Sequence, residues 1–336
     1  MRIVNVGLIG CGAIAEIAHL PAYQNAPGVR IAALADPDAR RLGLLSSKFQ
    51  VRKTYSDYRD LLGDRSIEAI SVCVPTGFHH EVVLEAFASG KHVLCEKPIA
   101  RTIDEANNMV AAQRKHGVQF YVGFPAKFTR VIREVVNLIE TGFLKRPLEV
   151  HARLAAPSPP KGSWYFKREM GGGALFDMGA HSADLLSHYF GEGQVTSANF
   201  EYGNESDADL VANLSIDIGG KVKARIEVDW TSQSYERSLT VKGLDGCMSA
   251  DLMKSTVIVS QPRVTLGKHA GQFTLLFDQK MSEYQREVWE FVESVRNEKE
   301  SSRLATGVDG LRALRIVEEA YRNFPMPKQD EANDHQ

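Results

Sequence analysis

Ile3-Val4-Asn5-Val6-Gly7-Leu8-Ile9-Gly10-Cys11-Gly12-Ala13-Ile14-Ala15 begins as a β-branched, apolar run and breaks into closely spaced small residues. The order strand, Gly-x-Gly-x-x-Ala, helix is that of a dinucleotide-binding βαβ unit. Gly10 permits the tight turn, Gly12 lets the backbone come close to a pyrophosphate, and small Ala15 lets the helix pack against the strand. Ala13 and Ile14 fall in the first helical turn, whose free N–H groups attract phosphate oxygens. Without its flanking strand and helix the same glycine spacing is weak evidence.

A second strand over 29–35 ends in Asp36, near the ~20-residue spacing at which an acid meets the ribose hydroxyls of the adenosine. An acid there repels a 2′-phosphate, which favours NAD over NADP. The plainer reading is a turn aspartate in Asp36-Pro37-Asp38, and Arg40 and Arg41 stand close enough to hold the phosphate of NADP. The pattern then repeats, with a helix over 38–49, a capped segment over 56–62 and a strand over 69–74. Such repeats build a parallel sheet that gathers the loops at its strand ends along one ligand edge. Val74-Pro75-Thr76-Gly77-Phe78-His79 is one such loop, which makes Thr76 and His79 cofactor-site candidates. His79 reads equally well as an unliganded residue at the start of the helix over 81–89, which Gly90 closes.

Lys91-His92-Val93-Leu94-Cys95-Glu96-Lys97-Pro98 is a buried-looking strand that ends in an acid, a base and a proline. At the ligand edge a lysine can donate to an oxygen whose charge grows during reaction. The alternative is an ordinary ion pair before a turn.

Beyond Pro98 a helix is expected over 102–116, with Thr102 and Glu105 spaced as a capping box. A strand over 118–124 and a helix over 131–140 follow. Strands then dominate, at 148–154, 195–202, 210–218, 221–230, 237–242 and 247–259, and the mixture predicts an α+β unit with a large, mostly antiparallel sheet. The expected division is a parallel-sheet α/β domain over 1–124, a substrate and oligomerisation domain over 125–325, and a polar, disordered tail over 326–336. Amphipathic helices at 282–297 and 308–323 close the second part, with Tyr284 placed to approach its sheet.

Trp164-Tyr165 precedes Met170-Gly171-Gly172-Gly173-Ala174-Leu175-Phe176-Asp177-Met178-Gly179-Ala180-His181-Ser182-Ala183-Asp184. Three glycines predict a flexible approach with room for a ligand, then a helix to Phe190. Asp177, His181, Asp184 and His188 share one helical face. A solvated stripe accounts for Asp184 and His188. A single metal ion does not suit all four, since they span three turns at 1.5 Å per residue. Asp177 and His181 alone suit proton transfer, the carboxylate orienting an imidazole that acts as general acid or base.

The totals exclude several classes. The chain has 336 residues, 43% hydrophobic and 24% charged, which suits two globular domains. Forty basic against 42 acidic residues leave a formal charge of −2, with no bulk attraction to nucleic acid or a membrane surface. No apolar run approaches the ~20 residues of a membrane helix. Cys11, Cys73, Cys95 and Cys247 form no Cys-x-x-Cys pair and read as small buried residues in a reducing compartment. With a strand beginning at the N-terminus and no room for a signal peptide, a cytoplasmic protein is expected.

Taken in order, these residues resemble the glucose-fructose oxidoreductase / inositol dehydrogenase / MocA family of nicotinamide-dependent oxidoreductases. The likeness runs from Gly10, Gly12 and Ala15 through Pro75-Thr76, His79 and the 90–98 stretch to the tryptophan with its triple glycine and Asp177-x-x-x-His181-x-x-Asp184. It implies a Rossmann domain to about residue 124, and an open-sheet domain commonly used for a homodimer or homotetramer. It also implies catalytic roles for Lys97, Asp177 and His181, a cis proline after the lysine, and a contact from Glu96 near the nicotinamide ribose. Pro125-Ala126-Lys127 and Trp164-Tyr165 depart from the common Asn-Arg-Arg and Trp-Arg, so Lys127, Trp164, Tyr165, Lys167 and Arg168 are the substrate candidates. The expected chemistry is reversible oxidation of a secondary alcohol on a sugar, cyclitol or related polyol. Lys97 and His181 bracket the hydroxyl, and no metal takes part. An NAD-dependent glycosidase with transient oxidation and a non-catalytic dinucleotide-sensing regulator are the rivals. Retention of both the lysine and the histidine speaks against the second.

Overall fold

The structure is a computed structural model and describes residues 1–203, 206–266, 269–278 and 281–325. The expected tail over 326–336 lies outside the described residues. Strands β1 (Val4–Ile9), β2 (Val29–Ala35), β3 (Lys53–Tyr55), β4 (Ala69–Val72), β5 (His92–Glu96) and β6 (Phe120–Gly123) pair in parallel in the order β6-β5-β4-β1-β2-β3. Their central members are buried along their length, as strands covered by helices on both faces must be. The order reverses between β1 and β4, which opens a crevice at the carboxyl ends of those strands.

The second sheet contains β7 (Pro147–Pro157), β8 (Gln194–Tyr202), β9 (Asp209–Ile218), β10 (Val222–Asp229), β11 (Thr231–Gly243), β12 (Cys247–Asp251), β13 (Thr256–Leu266) and β14 (His269–Leu276). Its order is β14-β13-β12-β11-β7-β10-β9-β8, with β7 and β10 parallel and all other neighbours antiparallel. Ala224, Ile226 and Val228 point to a buried face while Lys223 and Arg225 alternate outward. The stretch expected as one strand over 247–259 is two. Asp251 accepts the amides of Met253 and Lys254 at 3.0 and 2.9 Å, folding residues 252–255 into a turn. Strand β14 was not anticipated.

Helix Ile103–His116 starts at Thr102, whose hydroxyl accepts the Glu105 amide, but the capping box is not completed. Glu105 accepts instead from the amide and guanidinium of Arg101. Complete capping boxes occur at Ser282 with Gln285 and at Thr306 with Asp309.

The division expected at residue 124 is crossed by the C-terminal part of the chain. Helix Glu283–Arg296 buries Val288, Phe291, Val292 and Val295 against Val4, Val6, Tyr23 and Leu94 of the first unit. Strand β15 (Ala305–Thr306) then adds antiparallel to β6, so the helix packs on the first unit and the strand extends its sheet. Among the described residues no helix is long and apolar enough to cross a membrane.

The triple glycine is close-packed, contrary to the flexible approach expected. Gly171, Gly172 and Gly173 are buried against Thr76, the carbonyl of Tyr165 and Asp209 respectively. Gly173 has φ +120°, and a Cβ there would overlap the Asp209 carboxylate. Gly173→Ala should therefore destabilise the protein by about 1–3 kcal/mol from overpacking alone, with backbone strain adding to it, measured by urea denaturation.

Candidate active site

The chain turns sharply at Gly10, whose φ is +94° and whose missing Cβ would stand 2.6 Å from the carbonyl of Cys73. The segment from residue 13 to 24 is helical, with a π-helical turn at Ala15–His19. Among the described residues nothing lies within 4 Å of where a Cβ on Gly12 would be. Exposed Gly12 and Ala13 and half-buried Ile14 thus leave the helix start clear for a pyrophosphate. The donor set fits a dinucleotide.

Asp36 ends β2 and is a turn residue as well. Its Oδ2 accepts the Cys11 amide at 2.6 Å and its Oδ1 the Asp38 amide at 2.8 Å. Arg41, a possible phosphate ligand, donates to the Cys11 carbonyl at 2.9 Å and pairs with Glu16 at 2.9 Å.

Thr76 is buried, its hydroxyl oxygen without a partner among the described residues. His79 is not poised to offer the cofactor a ring nitrogen. Nδ1 lies 2.8 Å from the Pro98 carbonyl and Nε2 2.9 Å from that of Val74, so the buried ring clamps two strand-end loops together. Burial is the main cause that holds its pKa down.

Strand β5 delivers Glu96 and Lys97 to the crevice, and the Lys97–Pro98 peptide is cis. Lys97 Nζ donates to the Asp177 carbonyl at 2.9 Å and to its carboxylate at 2.5 Å. Burial would lower the lysine's pKa, but the charge of Asp177, then those of Tyr165 and Glu96, hold it above its usual value. Asp177 lies in a second π-helical turn, Leu175–Gly179, before helix Ala180–Phe190. That turn changes the angular step, and Asp177 holds Lys97 instead of the His181 imidazole expected from regular helical spacing.

His181 packs edge-on against Phe124 at 6.1 Å, and its Nδ1 has no hydrogen-bond partner among the described residues. Burial, then the charges of Lys97 and Arg237, push its pKa well below 6.5, so the ring is neutral at neutral pH. Tyr165 faces Asp177, Lys97 and Glu96. Burial, then Asp177, pushes its phenol up to about 12, while Trp164 stacks on it at 4.1 Å.

Two substrate candidates are committed elsewhere. Lys127 pairs with Asp184 at 3.2 Å, both side chains buried, which also removes Asp184 from any solvated face. Burial raises the Asp184 carboxyl to about 6 against the pull of Lys127. Arg168 lies over the ring of Tyr321, 3.0 Å from its centroid, and 3.7 Å from buried Asp209. Lys167 and His188 are exposed. A cavity of about 490 Å³ bounded by Lys127, Arg133, Arg286 and Trp289 includes none of Lys97, Asp177 and His181. Among the described residues no group of three or more His, Cys, Asp or Glu could hold a metal ion.

Sequence reasoning missed Arg237, which faces His181 from β11 and pairs with Glu283 at 2.6 Å. It also missed His19 and Glu287, both buried, and left Tyr284 without a role. The charges of Glu96, Glu283 and Glu287 act on that tyrosine, which places it beside the strand ends. Glu287 falls four residues before Phe291 on the buried face of its helix, a visible signal; His19 carried none.

Gly12→Ala should leave the urea midpoint unchanged while weakening NAD binding about tenfold, the worth of one displaced phosphate hydrogen bond. Gly10→Ala should instead lower the midpoint. Equilibrium dialysis and denaturation distinguish the two.

A family model described as "Oxidoreductase family, NAD-binding Rossmann fold" matches residues 4–124, and the GFO/IDH/MocA C-terminal domain model matches residues 132–249. The uncharacterized oxidoreductase YrbE of Bacillus subtilis is 30% identical over 335 residues, 96% of this chain and 95% of that protein. Myo-inositol 2-dehydrogenase of Thermotoga maritima is 25% identical over 320 residues, 93% of each. Levoglucosan dehydrogenase, solved with NADH and levoglucosan, superposes with a TM-score of 0.87 at 20% identity, over 96% of this chain and 97% of that one. The chain belongs to the GFO/IDH/MocA family of NAD(P)-dependent oxidoreductases and is a dehydrogenase acting on CH–OH groups.

Proposed function

We propose that the protein reversibly oxidises a secondary alcohol on a sugar, cyclitol or related polyol, with NAD as the acceptor. The observation that carries this reading is the pairing of Lys97 with Asp177 beside a neutral His181, at the edge of a dinucleotide-binding sheet. When bound, the nicotinamide accepts the hydride. The alcohol's hydroxyl proton passes to the neutral imidazole of His181 as its carbon loses that hydride, leaving a carbonyl. Lys97 donates a hydrogen bond to the oxygen as negative charge grows on it. Asp177 keeps that ammonium charged and aimed. Stacked Trp164 and Tyr165 offer a flat wall for the C–H face of a sugar ring.

NAD is favoured over NADP because Asp36 places a carboxylate beside the glycine turn and Arg41 is tied to Cys11 and Glu16. The myo-inositol dehydrogenase and levoglucosan dehydrogenase relatives support polyols and anhydrosugars as the first substrates to try.

The test is a panel of sugars and polyols with NAD and NADP, read by reduced-cofactor absorbance. Lys97→Ala and His181→Ala should each cut turnover by about 10²–10⁴ with NAD binding retained. Because a base with a depressed pKa stays deprotonated, the acid limb of kcat/KM should fall only well below pH 6.5. Near-normal turnover in both variants would remove the assignment, and sugar release without net NADH would point to the glycosidase chemistry.

A further inference from the structure

His19 is fully buried in the helix that begins at Gly12, yet it reaches across to the end of β5. Its Nε2 donates to Glu96 Oε1 at 2.7 Å, and its Nδ1 lies 3.0 Å from the hydroxyl of Ser71, which in turn lies 2.7 Å from that of Tyr23. The other carboxylate oxygen, Glu96 Oε2, accepts the backbone amide of Lys97 at 3.2 Å. Gly123 of β6 borders the carboxylate, and a Cβ there would stand 3.4 Å from Oε1. The chain of contacts runs without a break from Tyr23 to the backbone of Lys97.

We propose that His19 is a positioning residue: it clamps Glu96, and through Glu96 the Lys97 backbone, to the helix whose first turn receives the cofactor's pyrophosphate. The seat of the dinucleotide and the placement of the lysine then form one rigid unit. The inference rests on the reading of Lys97 as the group that meets the alcohol oxygen.

The clamp is electrostatic as well as geometric. Burial works to raise the Glu96 carboxyl, but the hydrogen bond from His19, with the charge of Lys97, holds it below its usual value. Cys73, Tyr165, Tyr284 and Glu287 also face that carboxylate from the elements around it, Glu287 itself pushed up by burial and by Glu96. Asp177, Tyr165 and Glu96 in turn hold Lys97 protonated, with His181 facing it. Remove the donor on His19, and the Glu96 carboxylate is no longer held at the Lys97 backbone. Lys97 then loses one of its negative neighbours, its pKa falls, and the ammonium is lost at a lower pH.

The experiment measures the titration of Lys97 directly, by competitive acetylation with acetic anhydride and mass spectrometry of the Lys97 peptide across the pH range of lysine ionisation. His19→Ala and Glu96→Gln should each move the labelling curve down by on the order of one pH unit. His19→Gln, which keeps a donor near the Nε2 position, should restore it. The alkaline limb of kcat/KM should move with the curve. Glu96→Gln keeps the shape of the carboxylate, so the test survives if His19→Ala fails to fold. An unchanged Lys97 curve in the variants would overturn the proposal. A shifted curve in a protein that oxidises no alcohol would uphold the clamp and sink the functional reading.

Discussion

An ammonium group and a carboxylate from opposite units of the molecule meet in the contact of Lys97 with Asp177. Removing either charge from water costs several kcal/mol, which only close geometry and additional hydrogen bonds offset. Asp177 supplies both, through its carboxylate and its own carbonyl. The contact locks the end of β5 against the π-helical turn that leads into helix Ala180–Phe190. His181 stands one turn further along, and the ammonium so fixed helps to keep its imidazole uncharged. One pair therefore joins the two walls of the crevice and adds to the burial that keeps its base neutral.

The same constraint recurs at three further buried carboxylates. Asp184 takes Lys127, Asp209 takes Arg168 and the hydroxyl of Tyr321, and Glu96 takes His19. Each pair joins elements far apart in the chain, since no local segment can supply both a donor and its burial. Lys127 and Arg168, named as substrate candidates where the chain departs from the family's common residues, are paired with buried carboxylates, while Tyr165, with no such pairing among the described residues, stands beside the charges of Lys97 and Asp177.

Much of the architecture was legible because its signals are local. The helix starts at Asp38 and Thr102, the glycine fingerprint and the run of buried apolar strands are all short-range patterns whose physics does not depend on distant residues. The failures share a cause too. Both π-helical turns, at Ala15–His19 and Leu175–Gly179, depart from the regular periodicity on which stripe arguments rest, and each lies in a helix that carries site residues. The return of residues 283–306 to the first unit was hidden because an amphipathic helix specifies that it needs an apolar surface, not which one.

The sequence by itself determined the parallel dinucleotide-binding sheet, the antiparallel sheet after it, and the set of residue types able to hold and move a proton at their junction. Only the tertiary structure decided which of those side chains touch. It assigned Asp177 to Lys97, turned His79 into a clamp between loops, and brought unheralded His19 and Arg237 into the charge balance of the crevice. Backbone pattern follows from neighbours in the chain, whereas the partner of a buried charge follows from whatever the fold brings within hydrogen-bonding distance.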